Sequence, residues 1–173
     1  MRGKRRTAVG FISFEDVRVT MPKVLILMGS KNDLPVAEKG TPLLKRFGIE
    51  YKIYVASAHR TPKRVEEIVT KSDADMFIAI AGLSAALPGV VASLTTRPVI
   101  GVPVSGAVNL DALLSVTQMP PGIPVAAVGL DRGDNAAILV AEILSVSMPE
   151  MKEKLADYRK EMEEKIIADS ESV

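Results

Sequence analysis

Residues 76–104 read MFIAIAGLSAALPGVVASLTTRPVIGVPV, two short apolar runs on either side of a small-residue stretch of helical length. The runs 76–81 and 99–102 are unbroken rather than alternating, so a strand made from either must be covered on both faces. Strands of that kind belong to a parallel sheet, and a helix near 84–96 would supply the crossover between two parallel neighbours. The stretch reads as one βαβ unit.

The pattern continues in both directions. Strands are expected at 24–28, 51–56 and 125–130, and helices near 33–47, 62–72 and 109–119, with Pro42 and Pro88 predicting late starts or kinks. Right-handed crossovers then bring the carboxyl ends of all five strands to one edge of an open α/β sheet with helices on both faces. Two further helices close the chain. Residues 135–146 (NAAILVAEILSV) are apolar nearly all round, with Glu142 the only charge, and such a helix needs cover on both sides. Residues 150–168 carry Met151, Leu155, Tyr158, Met162 and Ile166 as one stripe among charges. A sheet already covered on both faces leaves other subunits as the expected cover for both helices, with 148–169 as an oligomerisation helix.

A length of 173 residues fits one domain, expected over 21–173. The absence of cysteine excludes disulfides, thiolate zinc sites and a cysteine nucleophile, and a single histidine excludes a two-histidine metal site within one chain. A net charge of +1 gives no global field for nucleic acid or an anionic membrane. Residues 1–20 hold five basic and two acidic residues and are expected to be a dispensable extension or an upstream start. They lack the long apolar core and small-residue cleavage site of a secretory signal, so a cytoplasmic protein is expected.

In open α/β sheets ligands sit beyond the carboxyl ends of the strands, so the residues just after each strand carry the functional reading. After the first comes Gly29-Ser30-Lys31-Asn32-Asp33, a turn into a helix whose free N–H groups and hydroxyl suit a phosphate, although Ser30 and Asp33 also form an ordinary helix cap. After the second comes Ser57-Ala58-His59-Arg60-Thr61-Pro62. Thr61 and Pro62 read as a helix start, whereas Arg60 adds a fixed positive charge for an anion. His59 is the side-chain type best suited to exchange a proton near neutral pH. After the third comes Ala81-Gly82-Leu83-Ser84-Ala85-Ala86-Leu87-Pro88-Gly89, whose small residues allow close approach of a planar ligand or of the helix itself. A rigid run, Gln118-Met119-Pro120-Pro121-Gly122-Ile123-Pro124, is expected to wall the site.

Taken together, these four motifs, in this order and spacing from about Lys23 to beyond Leu144, closely resemble the N5-carboxyaminoimidazole ribonucleotide mutase and aminoimidazole ribonucleotide carboxylase family of purine biosynthesis, PurE. The resemblance implies a flavodoxin-like three-layer fold, a homo-octamer, a small ribonucleotide substrate, and a reaction with no cofactor: no metal, nucleotide or biotin. By position it implies that Ser30 and Asp33 bind the ribose phosphate, that Ser57 and Arg60 contact the phosphate, that His59 carries the proton, and that Gly82, Ser84 and Ala85 form the close-approach wall. Two positions depart from the pattern. Asn32 stands where a serine is usual, and Ala86 stands where the bacterial mutases have a second histidine. The Ala-Gly-x-Ser-x-Ala-Leu run is similar to that of carboxylases using free carbon dioxide, so both reactions stay open. A non-catalytic phosphate-ligand module would use the same Gly-Ser and Arg60 features without needing His59. A flavin carrier is disfavoured by the lack of tryptophan.

Overall fold

A computed structural model describes residues 21–107 and 109–172, so the extension expected over 1–20 lies outside the described residues. The order along the chain is β1 (Lys23–Met28), a single 3-10 turn (Lys31–Asp33), α1 (Leu34–Phe47), β2 (Glu50–Val55), α2 (Pro62–Thr70), β3 (Met76–Gly82), α3 (Leu87–Ser93), β4 (Val99–Val104), α4 (Asn109–Thr117), β5 (Ala126–Ala127), α5 (Gly133–Leu144) and α6 (Pro149–Glu171). The five strands are parallel in the order β2-β1-β3-β4-β5. This is the flavodoxin-like order. From β1 the chain steps outward to β2 and then back across to β3, so the loops after β1 and β3 diverge and open a crevice between them.

Successive strand residues point to opposite faces, and the two halves of the core follow that period. Val24, Ile26 and Met28 of β1, with Met76, Ile78 and Ile80 of β3, pack against α1, α5 and α6. Leu25, Leu27, Phe77, Ala79 and Ala81 pack against α2, α3 and α4. Both faces are apolar because both are covered, which is why the central strands read as unbroken runs.

The two prolines behave differently. Pro88 sits in the first turn of α3, which starts at Leu87 rather than near 84. Pro42 lies inside α1 without ending it. The proline cannot donate to the Glu38 carbonyl, and the Thr41 hydroxyl donates to that oxygen at 3.4 Å instead. The last strand is shorter than expected, with only Ala126 and Ala127 in regular pairing rather than 125–130. Beyond them the contact with β4 continues irregularly, through Val128 N–H to Gly101 O and Asp131 N–H to Pro103 O. Asp131 lies at φ 57°, a left-handed turn no strand can absorb.

One face of α5 is covered from within the chain, while Ile138, Leu139, Ile143 and Leu144 are only partly buried. Gly133, Ala136, Ala137, Val140 and Ala141 are buried in the same core as α1 and β4, and α6 closes over it with Met151 and Leu155. The α6 stripe therefore divides. Its first half belongs to the monomer core, Tyr158 meets Phe47 edge-on at 6.0 Å with Arg46 over its ring, and Met162 (51%) and Ile166 (67%) are exposed.

Candidate active site

The carboxyl ends of β1, β2, β3 and β4 surround one cavity of about 600 Å³. Its lining includes Gly29, Ser30, Asn32, Asp33, Ser57, His59, Arg60, Gly82, Ser84, Ala85 and Ala86, so every candidate ligand-binding or catalytic residue of the first three loops meets here. Ser105 and Gly106, from the loop after β4, complete the rim.

In the first loop the helix-cap reading holds. The Ser30 hydroxyl accepts from Asn32 N–H at 3.2 Å, and Asp33 Oδ2 accepts from Ser30 N–H at 2.9 Å, a reciprocal capping box. Only one Asp33 oxygen is engaged in it. Burial raises the Asp33 carboxyl above its ordinary value, while the Ser30 N–H bond and the Arg60 charge pull the other way. Gly29 is not in the left-handed region, and its missing side chain leaves room over the end of β1.

The second loop is built around Ser57. Its hydroxyl accepts from both the backbone N–H and the Nε of Arg60 at 3.3 Å, and Arg60 Nη2 donates to Gly29 O at 2.8 Å. The guanidinium thus bridges the ends of β2 and β1 along one side of the crevice. Thr61 does not cap α2 through its side chain. Its hydroxyl instead accepts from Ser57 N–H at 2.9 Å and donates to Ser57 O at 3.2 Å, closing the loop. His59 projects between these two anchored residues and is exposed at the cavity.

The third loop turns through two non-glycine residues in the left-handed region, Leu83 at φ 54° and Ala85 at φ 27°. Such geometry costs about 1–3 kcal/mol per residue and persists only where surrounding structure fixes it, most often at ligand sites. Here Ala85 is buried and its N–H donates to Gly82 O at 3.0 Å, while Gly82 itself approaches Val104 so closely that a side chain would touch it at 3.4 Å. Within one chain the run 118–124 does not line this cavity. Gly122, Ile123 and Pro124 line a separate concavity with Val99 and Arg97, at the opposite edge of the sheet.

The AIR carboxylase family profile matches residues 23–165, which takes in every one of these loops. The chain belongs to the AIR carboxylase family. It is 60% identical over 151 residues to the N5-carboxyaminoimidazole ribonucleotide mutase of Methanocaldococcus jannaschii, covering 87% of this chain and 96% of that one. It is 54% identical to the mutase of Pyrococcus abyssi over 84% of this chain and 87% of the relative. The crystal structure of Treponema denticola PurE superimposes with a TM-score of 0.79 at 36% identity, covering 88% of this chain and 98% of that one.

Two residues of this AIR carboxylase family member, the cavity-lining Ser105 and its hydrogen-bond partner Asp131, carry no evident signal in the sequence. Ser105 follows β4, which runs to Val104 rather than to 102, and Asp131 follows the irregular end of β5. Asp131 Oδ1 accepts from Ser105 N–H at 2.9 Å, Oδ2 accepts the Ser105 hydroxyl, and Lys39 Nζ donates to Asp131 O at 3.0 Å. Burial opposes ionisation of Asp131, but the two Ser105 bonds and the Lys39 charge outweigh it and hold its carboxyl below the ordinary value. The rule that selected the other loops also points to these two residues once the strand ends are known.

Proposed function

We infer that the chain acts in purine biosynthesis as an N5-carboxyaminoimidazole ribonucleotide mutase, forming 4-carboxy-5-aminoimidazole ribonucleotide. One observation carries the reading: the cavity joins an anion-binding end, made by Ser30, Ser57 and Arg60, to the chain's only histidine, within a family whose relatives bear that name. The ribose phosphate binds at the β1 and β2 loops, held by the Arg60 guanidinium and by the Ser30 and Ser57 hydroxyls, whose protons are free to donate. Asp33 takes the ribose, and Gly82, Ser84 and Ala85 lie along the base. The bond from N5 to the carboxylate carbon breaks as N5 takes a proton from the His59 imidazolium, releasing carbon dioxide beside the electron-rich aminoimidazole and leaving His59 neutral to act as base. Ring carbon 4 attacks it, and the proton carbon 4 then carries passes to His59.

Direct carboxylation of aminoimidazole ribonucleotide by free carbon dioxide is the second reading. It is favoured by Ala86, which lines the cavity where the resemblance places a histidine in the bacterial mutases. Carboxylated product is to be assayed from each substrate with and without bicarbonate. Turnover of the N-carboxylated substrate independent of bicarbonate supports the mutase; turnover only of the uncarboxylated substrate with bicarbonate overturns it in favour of the carboxylase.

The catalytic domain is assigned to 21–173 and the protein to the cytoplasm as an octamer, with the exposed Met162 and Ile166 of α6 as contact residues. Sedimentation at micromolar concentration checks the assembly. None of the described helices is long and apolar enough to cross a membrane.

A further inference from the structure

We propose that Ser105, with its hydroxyl oriented by Asp131, is the hydrogen-bond acceptor that selects the 5-amino group of the aminoimidazole substrate. The assignment rests on the substrate class given above and adds to it a recognition element on the fourth loop.

The polarity of the hydroxyl follows from its partner. An ionised carboxylate can only accept, and a serine hydroxyl has a single proton. Asp131 takes that proton on Oδ2 and the Ser105 N–H on Oδ1, so both of its oxygens serve one residue. The Asp131 backbone is itself fixed, its N–H donating to Pro103 O at 2.9 Å and its carbonyl accepting from Lys39 Nζ at 3.0 Å. What Ser105 has left for the cavity it lines is lone pairs. It can recognise an N–H and cannot donate.

Placement along the sheet edge says which N–H. The phosphate groups sit on β2 and β1, and β4 lies two strands from β1, about 10 Å away at the usual spacing. A ribonucleotide anchored by its phosphate at Arg60 and laid across the crevice reaches the β3 and β4 loops with its base. On an aminoimidazole the only polar hydrogens are those of the amino group, since one ring nitrogen carries the ribose and the other is an acceptor. An acceptor-only wall at that end matches the amine.

The test compares binding of 5-aminoimidazole ribonucleotide with that of imidazole ribonucleotide, which lacks the amine, by titration calorimetry. Wild type is expected to prefer the amino ligand about 10-fold, the scale of one hydrogen bond. In Asp131→Asn the side-chain oxygen must face Ser105 N–H, so the amide donates to the hydroxyl and turns its proton into the cavity. Asparagine is well tolerated at φ 57°, so the fold should persist. The preference should collapse, with the amino ligand weakened at least about 10-fold and the other ligand little changed. Ser105→Ala should also abolish the preference, and Ser105→Ala with Asp131→Asn should be no worse than Ser105→Ala alone. An unchanged preference in folded Asp131→Asn or in Ser105→Ala overturns the assignment while leaving the substrate class intact. Failure of wild type to bind either ribonucleotide overturns the substrate class and the assignment with it.

Discussion

The His59→Asn variant is expected to lose at least about 100-fold in kcat while KM stays nearly unchanged. Asparagine keeps much of the shape and one hydrogen-bonding end of the ring but cannot take a proton from carbon 4. No second histidine and no cysteine exists in the chain to substitute for it. The split between kcat and KM follows from the loop. Ser57 and Arg60 on either side of His59 hold each other through the Ser57 hydroxyl, and Arg60 is tied to Gly29. The phosphate end therefore survives the substitution. Arg60→Ala is the complement, expected chiefly to raise KM by removing a contact made equally in the ground and transition states. Steady-state kinetics with melting temperature and substrate binding measured alongside separates the cases. A folded His59→Asn protein that binds substrate and turns over near the wild-type rate would end the proton-transfer assignment. Loss of affinity or of stability as the main effect would make the histidine a brace for its loop.

What the sequence made legible was whatever follows from local pattern. The covered strands β1, β3 and β4 were visible as apolar runs because the helices on both sides remove any need for a polar face. The polar residues after the first three strands were visible because they interrupt that pattern where a ligand belongs. Partnerships between distant segments were not visible. An all-apolar α5 could be covered by a second subunit or by α6, and nothing within residues 135–146 distinguishes the two. Thr61 carries the signature of a helix cap, yet its hydroxyl satisfies Ser57 four residues earlier, which only the turn geometry decides. The run 118–124 has the rigidity of a site wall, but α4 carries the chain back from the carboxyl edge and leaves Gly122, Ile123 and Pro124 at the far edge of the sheet. Asp131 was hidden most completely, because its role depends on a contact with a residue 26 positions away.

Gly133→Ala is expected to destabilise the fold by about 3 kcal/mol or more, and the sign is the informative part. On helix propensity alone, glycine to alanine inside a helix should stabilise by up to about 1 kcal/mol. The packing of α5 on α1 reverses it. A Cβ on Gly133 would lie 1.9 Å from Val36 O, and one on Gly40 would lie 2.4 Å from Gly133 O. Both obstacles are backbone atoms, so no side-chain rotation can relieve the clash and the helices must separate. Separation would open the core that Val36, Ala37, Ala136 and Ala137 close between them. Gly106→Ala is the control, since a Cβ there meets nothing within 4 Å, and it should leave the melting temperature nearly unchanged. For a domain of this size the loss in Gly133→Ala corresponds to a fall of roughly 6–12 °C in Tm. Partial survival would still affect catalysis, because Gly133 begins α5 two residues after Asp131 and any displacement of the helix moves the carboxylate that holds Ser105. A Gly133→Ala protein with wild-type Tm would show that α1 and α5 do not meet backbone to backbone, and the support for the fourth loop would have to be sought elsewhere.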